Sequence, residues 1–128
     1  MANVPEDLHY SKDHEWVSFD EDAGVATVGI TDYAQGELGD VVFVELPGEG
    51  AGVTAHAVCG TIEAVKAVAE LFAPLSGEVV AVNSMLEDHP ETLNADPYGE
   101  GWMIRIRVSD PDELDALMDA TAYVEHVG

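Results

Sequence analysis

The chain has 128 residues and a formal net charge of −22, with 26 Asp plus Glu against four Lys plus Arg. That balance excludes binding to a phosphate backbone, which needs clustered cations, so nucleic acid is not an expected partner. The length suits one domain that buries a core without disulfides or metal, and a hydrophobic content of 47% separates the chain from acidic disordered sequences.

Cys59 is the only cysteine, so no intramolecular disulfide is possible and a reducing compartment fits. It lies between Val58 and Gly60 with no adjoining cation, which predicts a small buried hydrophobe rather than a reactive thiol. The N-terminus has no basic region leading into an apolar run, and no segment approaches membrane-spanning length, so a soluble cytoplasmic protein with no membrane partner is expected. Self-repulsion at this charge weakens a compact state unless salt screens it. A high-salt cytoplasm, as in a halophile, is therefore the expected setting.

In chain order, Met1 to Pro5 reads as a loose end. Trp16, Val17 and Phe19 predict a short strand, the acidic run Asp20 to Gly24 a turn, and Val25 to Ile30 a second strand. Asp32 followed three residues later by Gln35 predicts a capping box, opening a short helix with Tyr33, Ala34 and Leu38 that Gly39 stops. Val41 to Leu46 is the next strand, ended by Pro47 and Gly48.

The stretch Gly60 to Val80 is the centre of the chain. Ile62, Ala64, Val65, Ala67 and Val68 are too short and apolar for a solvated charged face, and Gly60 and the Pro74/Ser76/Gly77 cluster punctuate its ends. Two strands meeting at a tight turn are predicted, with Lys66 at the tip. One of only two lysines, Lys66 has three possible roles: catalytic nucleophile, plain surface cation or covalent attachment site. The first is disfavoured, because Glu63 and Glu70 beside it favour the ammonium form. Gly39 to Val44 and Gly77 to Val82 match at glycine, acid and three valines, which suggests an internal repeat.

Ser84 to Gly101 is irregular, with a turn of helix and a long loop. In Trp102 to Val108 the residues Trp102, Ile104, Ile106 and Val108 should share one face, with Arg105 and Arg107 on the other offsetting nearby acids. The C-terminal segment predicts the best helix, with Asp110 as N-cap, Pro111 at its first position, Glu113 closing a capping box and Leu114, Leu117 and Met118 as the apolar stripe. Its acidic start lacks the glycine and later glutamate of a calcium loop. The five histidines show no ligand spacing, so no metal site is expected. No triad or phosphate-cradling loop is present, which favours a carrier over an enzyme.

Ile62-Glu63-Ala64-Val65-Lys66-Ala67, followed by Ala73-Pro74-Leu75-Ser76-Gly77-Glu78-Val79, resembles the lipoyl-attachment segment of the glycine cleavage H proteins. His14-Glu15-Trp16-Val17, Val28-Gly29-Ile30-Thr31-Asp32, Gly39 to Pro47 and Asp96 to Ile104 match that family's patterns in the family's order, so the resemblance covers nearly the whole chain. It implies an all-β barrel-sandwich hybrid, the hammerhead architecture of biotinyl and lipoyl carriers, in a single domain over residues 1–128 with an N-terminal extension, short helices and a C-terminal helix.

The resemblance also implies a non-catalytic carrier with lipoic acid on Lys66. Its arm takes an aminomethyl group from glycine decarboxylase and presents it to aminomethyltransferase. Dihydrolipoamide dehydrogenase then reoxidises it. Glu63 and Gly77 match positions recognised by the lipoylating enzyme, while Glu15 and Glu70 match acids of the cargo cleft. Asp13 stands where relatives can have serine and Glu37 where relatives can have histidine. A biotin carrier would have Met-Lys-Met rather than Val65-Lys66-Ala67. The alternatives are a lipoylated H-like protein outside glycine cleavage and an unmodified interaction domain.

Overall fold

The computed structural model describes residues 4–127. Among them nine strands form two antiparallel sheets, β1 (His9–Tyr10), β2 (Glu15–Asp20), β3 (Val25–Ile30), β9 (Ile104–Val108), β8 (Gly77–Val82) and β5 (Gly52–Val53) in that spatial order, and β4 (Val41–Glu45), β6 (Val58–Ala64) and β7 (Val68–Phe72) in a second. Four short α-helices lie between or after them: α1 (Asp32–Leu38), α2 (Met85–Asp88), α3 (Thr92–Ala95) and α4 (Ala120–Val127). The inward residues of both sheets meet in one core that includes Val17, Val28, Val44, Ile62, Leu71, Ile104 and Ile106. Burial of this alternating set is the dominant stabilising term, at about 1.5–3 kcal/mol for each large aliphatic side chain.

The expected strands are present, including the two that meet at Lys66. The β2–β3 turn is built as its acidic composition suggests: Asp20 accepts through its side chain from Asp22 N and Ala23 N, and its carbonyl accepts from Gly24 N. Both copies of the suspected repeat lead into strands, although they belong to different sheets, β4 and β8.

Four expectations need correction. The N-cap of α1 is Thr31, not Asp32: the Thr31 hydroxyl accepts from Ala34 N, and Gln35 donates to the Asp32 carboxylate within the first turn. Met1 to Asn3 lie outside the described residues, but Val4 packs on a second apolar cluster and Pro5 O accepts from the Tyr10 hydroxyl, so the segment from Val4 is tied down. Trp102 precedes β9 rather than sharing its buried face; Met103 is buried instead, and Trp102 stacks under the Arg105 guanidinium at 4.1 Å. Arg107 does meet an acid, Glu78, at 3.3 Å.

The C-terminal helix departs most. Asp110 caps and Pro111 occupies the first position as expected, but Pro111–Ala116 is a 3-10 turn that ends at an extended Leu117. Glu113 closes no capping box, since its carboxylate accepts from the Ser76 N–H and hydroxyl. Met118 then exchanges both backbone hydrogen bonds with Tyr10, and the α-helix starts only at Ala120. Its anchor is Tyr123, fully buried and stacked on Tyr10 with ring centroids 4.7 Å apart.

Candidate functional site

β6 and β7 pair from Val58↔Phe72 to Glu63↔Val68, and Ala64 N donates to Ala67 O across the turn, which leaves Val65 and Lys66 as the two residues at the tip. Neither has a positive φ. A glycine-free turn of this kind departs from the primed turns that two-residue hairpins favour, so it needs outside support. The support comes from the end of α1: Val65 N donates to Asp40 O at 3.0 Å. Gly39 makes the chain reversal possible, with φ 80° and ψ −154°, a conformation open to glycine. The Lys66 stem crosses it so closely that a Cβ on Gly39 would lie 2.9 Å from Lys66 Cε.

Asn94 clamps this junction. Its side-chain nitrogen donates to Gly39 O at 2.7 Å and to Gln35 Oε1 at 3.0 Å, while its oxygen accepts from Val41 N at 2.9 Å. No local pattern singles out Asn94, which lies in the irregular stretch and contacts residues more than fifty positions away.

Beside the hairpin, α1 and β7 enclose a recess of about 280 Å³. Its floor and walls are apolar, from Ile30, Ala34, Leu38, Ile62 and Ala69, and its rim carries His14, Tyr33, Glu37 and Glu70. Glu37 thus joins Glu70 on one polar edge, and Glu37 accepts from the Tyr33 hydroxyl, which holds that phenol's pKa up. A cavity of about 350 Å³ lined by Ser11, Lys12, His56, Pro74, Glu113 and Leu117, among others, lies beyond the base of the hairpin and holds none of the candidate residues.

Glu15 is not on the rim. It is 1% exposed, accepts from the Ser11 hydroxyl at 2.5 Å and from Phe72 N at 3.3 Å, and burial pushes its carboxyl up to about 8. Its chain neighbour His14 is the residue that reaches the recess, from a left-handed backbone with φ 70°. His14 Nδ1 meets the Tyr123 hydroxyl at 2.8 Å, and that hydroxyl meets Thr31 Oγ1 at 2.7 Å. With His14 neutral and Nδ1 unprotonated, the Tyr123 hydroxyl donates to Nδ1 and accepts in turn from the Thr31 hydroxyl. Burial first, then the nearby His126, lowers the His14 pKa, while Asp13 and Glu37 act the other way. His14, Thr31, Tyr123 and Asn94 are absent from the sequence-derived candidates because only the tertiary fold brings them together.

The structure gathers Lys66, Glu63 and Glu70 on one hairpin, with Glu63 and Glu70 exposed. Gly77 is elsewhere, on β8 of the other sheet and past the hairpin base; the run from Lys66 to Phe72 alone spans about 20 Å when extended. Its side of the fold admits no Cβ, which would fall 2.0 Å from Arg107 O, so close strand packing already requires glycine there.

Comparison with known proteins fits this arrangement. Residues 8–128 match the family described as Glycine cleavage H-protein. The chain is 58% identical over 126 residues to the glycine cleavage system H protein of Chlorobium phaeovibrioides and 56% identical to that of Chlorobium limicola, with 98% of each chain covered in both cases. The crystal structure of a glycine cleavage system H protein from Mycobacterium marinum superposes with a TM-score of 0.86 at 39% identity, covering 98% of this chain and 99% of that one, and the two-sheet architecture is its barrel-sandwich fold. The chain belongs to the glycine cleavage H-protein family.

Proposed function

We infer that this chain is the lipoyl carrier of the glycine cleavage system, with Lys66 as its attachment residue. The observation that carries the reading is the position of Lys66: in a chain of this family, it stands at a rigid hairpin tip beside an apolar recess edged by carboxylates. The residues present fit the group. An exposed primary amine suits amide formation, and a recess of about 280 Å³ with apolar walls suits a saturated chain. When attached, lipoate supplies a redox-active disulfide on a flexible arm that carries a one-carbon amine unit between enzymes.

The chain's own contribution is placement and shelter. The hairpin and the Asp40–Val65 hydrogen bond fix the root of the arm, and tethering raises the local concentration of cargo at each enzyme. Ile30, Leu38 and Ile62 keep water from the recess, while Glu37 and Glu70 on its rim attract a protonated amine. Glu15, buried against Ser11 and Phe72, is not part of this rim. The partners are glycine decarboxylase, aminomethyltransferase and dihydrolipoamide dehydrogenase, served in turn by one arm, and the chain itself catalyses no step.

Lys66→Arg tests this. The variant should keep its melting temperature and lose glycine–bicarbonate exchange with glycine decarboxylase. Retained exchange would refute the reading.

A further inference from the structure

The hairpin tip has a second face. Register places Phe43, Glu63 and Val68 side by side across the three strands, and the pairing shifts between Val41 and Phe43. That bulge inserts Val42, so Val42 and Phe43 both reach the surface instead of alternating in and out. Four apolar side chains therefore stand exposed around Lys66: Val42 at 53%, Phe43 at 47%, Val65 at 75% and Val68 at 66%. The next row on the same face of the sheet is Glu45, Thr61 and Glu70, and Asp40 precedes Val41, so carboxylates edge the patch.

Exposed apolar side chains gathered at one end of a chain with net charge −22 mark an interaction surface. We propose that the outer face of the tip, formed by Val42, Phe43, Val65 and Val68, is the docking surface for the enzyme that acylates Lys66, seated in an apolar recess edged by Lys or Arg. This rests on the reading of Lys66 as the attachment residue.

Two observations select that occupant. An enzyme served by a finished arm can act at a distance from the tip, but the acylating enzyme must bring its active site within one lysine side chain of the backbone at Lys66. It therefore has to cover the residues next to the turn. The carboxylates of Asp40, Glu45 and Glu63 then demand a basic edge on the partner. In the step it performs, Nζ attacks the carbonyl carbon of an acyl adenylate of lipoate, the amide bond forms, and AMP leaves with the bonding pair. The ammonium gives up two protons, one before attack and one after.

The test is the initial rate of Lys66 modification in the full, unmodified chain, incubated with a purified lipoate–protein ligase, lipoate and ATP and read by mass spectrometry. Val42→Ser combined with Phe43→Ser should raise KM for the protein roughly tenfold with kcat little changed. Val124→Ser, which removes an exposed valine on α4, should leave both constants unchanged. If the double variant does not fold, Val68→Ser alone should raise KM in the same direction. A folded double variant with the wild-type KM would overturn the proposal. Absence of any modification on the wild-type chain would overturn the reading of Lys66 itself, and this docking surface with it.

Discussion

Glu15 is a carboxyl group held away from water, with one hydroxyl and one amide as its hydrogen-bond donors. Burial raises its pKa from 4.5 to about 8, and the repulsion of Asp13 adds to the effect against the opposing Ser11 and Phe72 hydrogen bonds. The folded state thus holds a proton that the unfolded state releases near pH 4.5, so the stability that Glu15 contributes is greatest below that pH and declines as pH rises towards 8. Glu15→Gln should remove this dependence. Measured by urea unfolding, the variant should gain on the parent by up to roughly 1.4 kcal/mol for each pH unit between about 5 and 8. Equal pH profiles would show that Glu15 stays ionised. At this scale the sequence was only partly informative: the charge of Lys66 among so few cations marked it, whereas nothing local distinguishes the buried Glu15 from the exposed Glu63 or Glu70.

Among the elements, strands were legible because one face of each meets the core and the alternation is printed in the residues, as in β9 from Ile104 to Val108. The hairpin was legible because the short apolar residues Ile62, Ala64, Val65, Ala67 and Val68 run between turn-forming punctuation at Gly60 and at Pro74, Ser76 and Gly77. The C-terminal helix was misplaced by a competition the local pattern does not reveal. Asp110, Pro111 and Glu113 form an ideal helix start, but Ser76 takes the Glu113 carboxylate and Tyr10 takes the backbone of Met118, so tertiary hydrogen bonds outweigh local propensity. The α4 helix is instead held by Tyr123, whose hydroxyl links Thr31 to His14. Tyr123→Phe should lower the unfolding free energy by about 1–3 kcal/mol, since Thr31 and His14 lose a buried partner. The lowered pKa of His14 means that its contribution is present above its ordinary value near 6.5 and is lost as pH falls below it. In His126→Ala, which removes the second of the two causes of the lowering, the His14 titration followed by NMR should move back towards that value.

At the scale of the molecule, fold and carrier class were readable because the motif blocks run in order along nearly the whole chain. The recess was not, since its walls come from β3, α1, β6 and β7 and its rim from α1, β7 and the turn before β2. Net charge is a property of the whole as well. With 26 acids and four Lys plus Arg, mutual repulsion opposes compaction, and salt should relieve it. The melting temperature is expected to rise steadily from dilute buffer to molar KCl, and a melting temperature that is unchanged or falls would remove the basis for a high-salt setting. The isolated thiol bears on the whole molecule differently. Cys59 is half-buried against the core, and burial reinforced by the charge of Glu15 pushes it up to about 11. At neutral pH roughly one such side chain in ten thousand is a thiolate, the species that attacks disulfides. The folded chain should therefore react slowly with iodoacetamide at neutral pH and quickly once unfolded, so that alkylation of this single sulfur reports opening of the core around it.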